Sequence, residues 1–351
     1  MKKYLIVITL LISIVILLNG CFGKNSNSAI SEQNSVQSQT ETQKAVEASQ
    51  QTQNYELPII QTSERPIAIM IDNEGKARKR HTGLDKAYAI YEMAAEGGET
   101  RFMALYKGTN PTAIGPVRSS RHYFIYYALE HDPIYVHFGW SPLAERTIPQ
   151  LGVNNINGVK GIDGAIFWRN PNVRSDWQNA FTSIRKIKEM VARKKFRDKT
   201  NINIFKYSPN EYDLINGNKA NKIDIKYSGS RHSKYVYDES NKIYKRFLGD
   251  TPHTDAISHV QYSAKNIIIA FVNNYPLNDG ENKDRQQMDT VGKGEGFLVT
   301  NGKYTKITWE KKNKTAKSYY RNQSGNEIVL NQGQTWIQIV PTYQKSNFKI
   351  E

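Results

Sequence analysis

A continuous apolar run near the amino terminus, stopping at the chain's sole cysteine, constrains this sequence more than any other feature. After Met1-Lys2-Lys3, the residues from Tyr4 to Leu18 are apolar except for Thr9 and Ser13, and Leu18-Asn19-Gly20-Cys21 follows. About 15 residues rise roughly 22 Å as a helix, short of the ~30 Å hydrocarbon core, so the run reads as a signal peptide and not as a membrane span. The small residue before Cys21 completes a lipobox: the thiol is expected to carry a diacylglycerol thioether and the mature chain to begin there. A chance cysteine is the competing reading, disfavoured by its place at the cleavage point. With one cysteine in the chain, neither an intramolecular disulfide nor a Cys-ligated metal site can form, and the fold must rest on its core alone. The implied address is the cell membrane, lipid-anchored on the extracytoplasmic face.

Residues 1–20 are thus the signal peptide, and 21–57 the lipidated cysteine with a tether of Ser, Gln, Asn, Thr and Glu too poor in apolar surface to fold. About 290 residues remain, which suits two domains, placed at 58–200 and 201–351. The first reads as α/β with a mostly parallel sheet and flanking helices. Pro66–Ile71 is a buried strand, Thr82–Glu96 a helix, Arg101–Tyr106 a strand, Ser119–Glu130 a helix, Ile134–Phe138 a strand, and a helix opens at Ser141-Pro142 and stops near Gly152. A basic helix over Ala180–Lys195 follows. The second domain reads as mainly β, with runs at 223–227, 234–237, 267–272, 296–299, 305–309 and 335–340 and turns such as Asn301-Gly302. Gly292 to Gly296 looks like a phosphate loop but leads into a strand, and reads as a turn.

The net charge of +15 draws a tethered protein toward anionic head groups and wall polymers, or else simply keeps it soluble. Nucleic acid is an unsuited partner outside the membrane. No metal-type histidine pair and no cofactor motif occurs, so neither metal nor cofactor is expected.

In a parallel sheet, ligands bind outside the carboxyl ends of the strands. Asp72 and Asn73 follow the first strand, Gly115-Pro-Val-Arg-Ser-Ser-Arg121 the second, and His137, Gly139, Trp140 and Ser141 the third. Ser119 or Ser120 as helix cap, with Arg118 and Arg121 as planar forks, would make an anion cradle. The alternative is two arginines held by carboxylates of the same domain. Asp72 and His137 could act as base and acid, although a lone histidine in an apolar strand is more often structural. Arg101 belongs at the opposite edge unless the sheet is not parallel.

Arg65-Pro-Ile-Ala-Ile-Met-Ile-Asp-Asn73, Gly83-Leu-Asp-Lys-Ala87, Tyr91 to Phe102, Gly115 to Arg121 and Gly333-Gln-Thr-Trp-Ile-Gln-Ile-Val-Pro341, with the lipobox and tether, resemble the YerB-like lipoproteins over nearly all of the chain beyond the tether. The resemblance implies an α/β domain followed by a β-rich one, on a lipoprotein without an established activity. Where family members tend to read Phe-Tyr-Arg-Asp and later Pro-His-Asn, this chain has Phe167-Trp168-Arg169-Asn170 and Trp177-Gln178-Asn179. The missing histidine argues against an essential one there, and Arg169 and Asn179 stay as cleft candidates.

The reading is a membrane-anchored binding or regulatory module for an anionic wall polymer, a glycan or a membrane cell-wall enzyme, contacted by Asp72, Asn73, Arg118, Ser119, Ser120, Arg121, His137, Ser141, Arg169 and Asn179. Its rival is an envelope hydrolase using Asp72 and His137.

Overall fold

The computed structural model describes residues 57–170, 178–229, 231–281 and 283–351; the expected signal peptide, Cys21, the expected tether and Trp177 lie outside them. The amino-terminal half supplies strands Ile67–Asn73 (β1), Ala89–Ala94 (β2), Thr100–Tyr106 (β3), Ile134–His137 (β4) and Asn155–Asn157 (β5), with helices His122–Ala128 (α1), Pro142–Gln150 (α2) and Ile184–Arg193 (α3). The carboxyl-terminal half is mostly β: Lys222–Ser228 (β6), Arg231–Asp238 (β7), Ile243–Leu248 (β8), Asn266–Val272 (β9), Gly292–Thr300 (β10), Lys303–Lys311 (β11), Ser318–Arg321 (β12) and Thr335–Pro341 (β13). Among the described residues one eleven-stranded sheet runs through both halves, in the order β12-β11-β10-β9-β13-β2-β3-β1-β4-β5, with the short strand Asn218–Lys219 pairing with β11 off this path.

The sheet is mixed. β3 is antiparallel to both β1 and β2, while β1 pairs parallel with β4, β4 with β5, β2 with β13 and β13 with β9. Six strands therefore share one direction and bring their carboxyl ends to one edge, with β3 reversed among them. The reversal places Arg101 opposite Asp72 at that edge, not at the far one.

The segment 82–96 is the main departure from the helical reading. A short turn over Leu84–Lys86 leads into β2, all six residues of which are buried. A strand covered on both faces has no polar alternation, so its apolar positions also satisfy a helical period; long-range pairing with β3 and β13 then outweighs the helix propensity of Ala, Met and Glu. The helix expected from Ser119 starts instead at His122, and that expected from Ala180 starts at Ile184, where Ser183 Oγ accepts from Lys186 N at 3.3 Å. Gly292 to Gly296 is the start of β10, not a turn. Its glycines serve close packing: a Cβ on Gly296 would sit 1.9 Å from the Ile269 carbonyl oxygen.

A second, antiparallel sheet containing β6, β7 and β8 packs on the first, with Tyr235 edge-on to Trp336 at 6.2 Å. A polar seam is buried between them. Glu92 of β2 and Arg246 of β8, 1 % and 0 % exposed, pair at 2.8 Å, and Ser233 Oγ lies 2.9 Å from both Glu92 oxygens. Arg246 Nη1 donates to His253 Nδ1 (2.5 Å), which leaves His253 Nε2–H to donate to His81 Nδ1 (2.7 Å) and His81 Nε2–H to donate to the Asp72 carbonyl (2.5 Å). One guanidinium thereby sets both tautomers. Burial holds both imidazoles neutral, His81 at about 3 and His253 well below its ordinary value.

Candidate functional site

The carboxyl ends of β1 and β4 splay apart, and the segment 116–120 fills the gap as extended backbone. Asp72 N donates to the Pro116 carbonyl (2.8 Å), Arg118 N to Met70 (2.9 Å), Phe138 N to Arg118 (3.0 Å) and Ser120 N to Gly139 (2.9 Å). This pairing keeps Ser119 and Ser120 out of α1, whose start has no side-chain cap. Ser119 Oγ donates to the Phe138 carbonyl at 3.1 Å, and buried Ser120 shares a 2.8 Å hydrogen bond with the Tyr135 hydroxyl.

The arginines are already engaged. Arg118 Nε lies 3.2 Å from Asp72 Oδ2, with Glu74 at 3.8 Å; Arg121 pairs with Glu96, and Arg101 reaches the same carboxylate at 3.5 Å. Burial opposes ionisation of Glu96, but Arg101, Arg121 and the hydrogen bond to Arg121 outweigh it and hold the carboxyl at about 2. For Asp72, wholly buried, the order reverses: burial raises its carboxyl despite Arg101 and Arg118. The arginine forks are thus held by carboxylates of their own domain, the alternative to an open cradle. Asn73 is equally committed on its donor side, giving Nδ2 to Thr100 Oγ1 at 2.6 Å.

His137 is wholly buried, its Nδ1 2.7 Å from the Gly139 carbonyl and its Nε2 3.3 Å from Asn155 Oδ1, and burial lowers it to about 4. With the 116–120 segment paired between β1 and β4 and the imidazole packed against Tyr135 and Trp140, His137 has no open face for acid–base work. Ser141 caps α2, accepting from Ala144 N at 3.3 Å. Asn179 accepts from Asn170 N (3.1 Å) and donates to the Asn170 carbonyl (2.9 Å), while exposed Arg169 lies over the Phe138 ring at 5.2 Å.

Beyond β4 and β5 lies an open cleft of about 670 Å³, reached by the expected strand end and lined, besides Trp140, by residues without a sequence signal. Trp140 forms one wall, Ile148 and Pro149 of α2 another, and Asn155, Asn157 and Asp163 the floor. Asn157 Oδ1 accepts from Gly139 N (2.9 Å) and Val159 N (3.2 Å), yet its Nδ2, on a residue 2 % exposed, has no partner. A buried donor without an acceptor costs about 1–3 kcal/mol unless something fills the site. Two lysines and two carboxylates balance the local charge: Lys194 lies 2.8 Å from Asp163, and Lys160 3.7 Å from Glu145 with its Nζ 4.5 Å from the Trp140 ring centroid. Trp140 was visible in the sequence as an aromatic after a strand. Asn157 had no signal, because its free amide arises from turns made by residues on both sides of it. Among the described residues, no group of three or more His, Cys, Asp or Glu is placed to hold a metal, and no helix is long and apolar enough to cross a membrane.

Comparison with known proteins covers both halves of the chain. Residues 56–197 match the family model described as "Protein of unknown function (DUF3048) N-terminal domain", and residues 223–337 its C-terminal counterpart. The chain is 30% identical over 286 residues to the Bacillus subtilis (strain 168) protein named "Putative lipoprotein YerB", covering 80% of this chain and 82% of that one. A crystal structure of YerB from Bacillus subtilis superposes with a TM-score of 0.74 at 27% identity, over 85% of this chain and 97% of that chain. Both halves, the shared sheet and the sequence identity lead to one conclusion: the chain belongs to the DUF3048 family, the YerB-like lipoproteins.

Proposed function

We propose that this protein is a lipoprotein anchored through Cys21 to the extracytoplasmic face of the membrane, and that its head is a non-catalytic glycan-binding module working through the Trp140 cleft. The unpartnered Asn157 Nδ2 on the floor, beneath an aromatic wall, carries the reading. A sugar ring offers an apolar face to stack on indole and hydroxyls to accept from an amide N–H. Because the cleft's own charges balance, stacking and hydrogen bonding select the ligand there, while the overall charge of +15 favours approach to anionic wall material at long range. Lys160, in a weak exposed pair with Glu145, is displaceable by an incoming ring. Hydrolysis by Asp72 and His137 is not supported, since His137 is buried and deprotonated.

The test is calorimetric titration of the full chain with tri-N-acetylchitotriose and, separately, with a glycerol-phosphate oligomer. Trp140→Ala should weaken glycan binding by at least about tenfold, as loss of an aromatic anchor does. Asn157→Asp, which keeps both acceptor bonds and removes the donor, should weaken it about fivefold. Unchanged affinity in both variants, or binding of the phosphate oligomer alone, would discard this site. For the anchor, Cys21→Ala should release the protein from membranes and abolish lipid labelling; retention would refute it.

A further inference from the structure

Farther along the same edge, past the carboxyl ends of β2, β9 and β13, lies a second cleft of about 290 Å³ whose lining includes Ser228, Asn274, Tyr275, Asp284, Gln286 and Tyr343. Its chemistry is the opposite of the Trp140 cleft. Asn274 is 4 % exposed; its Nδ2 donates to Gln286 Oε1 at 3.1 Å, and its Oδ1 has no partner. The side-chain donors of Ser228, Gln286 and Tyr275 are spent inside the protein. Ser228 Oγ donates to the Gly98 carbonyl (2.6 Å), Gln286 Nε2 to Asp284 (2.8 and 3.1 Å), and the Tyr275 hydroxyl to Asp289 (3.3 Å). Acceptors remain: the Asn274 carbonyl and the Asp284 carboxylate, which itself receives Gly97 N at 2.9 Å.

No lysine, arginine or histidine is among the residues lining this cleft, in a chain whose net charge is +15. Tyr275 and Tyr343, 42 % and 57 % exposed, present aromatic surface at its mouth. A buried acceptor, one carboxylate and two aromatic rings, with no cationic side chain in the lining, are what a compact cation with several N–H groups requires. We propose that this cleft binds a primary ammonium group carried on an aminoacyl or short peptide body, the size the cavity admits. The site is independent of the glycan reading. Its ligand enters through the amine, with aliphatic carbon against the tyrosines and the ammonium between Asn274 Oδ1 and Asp284.

Titration of the full chain with L-alanyl-L-alanine amide, followed by NMR, tests this against the N-acetylated form of the same compound. The free amine should bind at least about tenfold more tightly at pH 7, as a charge-assisted contact does, and lose that advantage as the pH is raised past its own α-amino pKa of about 8. Asp284→Asn should remove most of the preference, and Tyr343→Ala, at an exposed rim position, should weaken the amine about threefold. Melting temperature is followed for each variant, so that loss of binding is read on folded protein. Equal affinity for the two compounds, no binding of either, or an unaltered preference in folded Asp284→Asn would each overturn the proposal.

Discussion

The seam between the two sheets and the two clefts at the sheet's carboxyl edge are built from similar residues, yet they differ in whether those residues are finished. In the seam, Glu92 takes Arg246, Ser233 and Thr100, and Arg246 reaches Tyr235 and His253 as well. In the clefts, Asn157 keeps an idle donor and Asn274 an idle acceptor. A saturated buried network specifies one packing of the two sheets, whereas an unsaturated group at the edge of a cavity leaves a hydrogen bond for water or a ligand to complete. Arg121, tied to Glu96 and to the Ser120 carbonyl, belongs with the seam in this respect, although it stands at the same edge as the clefts, whereas buried Arg101 Nε makes no hydrogen bond.

That contrast can be broken most severely by acid. His81 and His131 are held neutral down to about 3, His122 and His137 down to about 4, and His253 well below its ordinary value, chiefly by burial. In the unfolded chain each takes a proton near 6.5, so the stability from keeping them neutral is complete above that pH. It is lost progressively as pH falls from there toward the folded values, by roughly 1.4 kcal/mol per unit for each histidine. Asp72 and Glu74, whose carboxyls burial pushes upward, take up protons in the folded state and offset part of this. Thermal melting should be flat from pH 7 to 8 and fall steeply below 6; a flat profile down to pH 4.5 would show that the histidines are not sealed.

Next in size is Glu92→Ala, which strands the Arg246 guanidinium and should cost about 3–5 kcal/mol in a denaturant titration. Replacing both partners, Glu92→Leu with Arg246→Met, should cost far less, because no buried charge is then left alone. If the double change is as damaging as the single one, the seam acts through shape and not through charge. The smallest effect should come from Asp72→Asn, where burial already disfavours the carboxylate: a loss of about 1 kcal/mol or less, with glycan titration unaltered. A large loss of binding there would return the ligand site to the arginines.

Much of the strand content was legible, since Thr100–Tyr106, Ile134–His137 and Thr335–Pro341 are short apolar runs bounded by turn residues. Ala89–Ala94 was not, because a run buried on both sides carries no period that distinguishes strand from helix. For the site, the strand ends pointed to the edge where the clefts lie, and the segment 115–121 to a cluster of charge. Whether Arg118 and Arg121 were free depended on Asp72 and Glu96, residues that their spacing along the chain does not bring beside them.

By itself, then, the sequence determined a chain with a single cysteine, an apolar run that stops three residues before Cys21, a polar stretch after it, and a remainder whose core must come from β runs and a few amphipathic helices. Those are properties of composition and of neighbours within a turn or two. The tertiary structure alone decided that β3 runs against β1 and β2, that β13 enters the sheet beside β2 some 240 residues earlier in the chain, and which polar groups end without partners. Each of these depends on pairings between distant segments, and satisfaction of a hydrogen bond is decided by what lies across the sheet, not by what lies next in the chain.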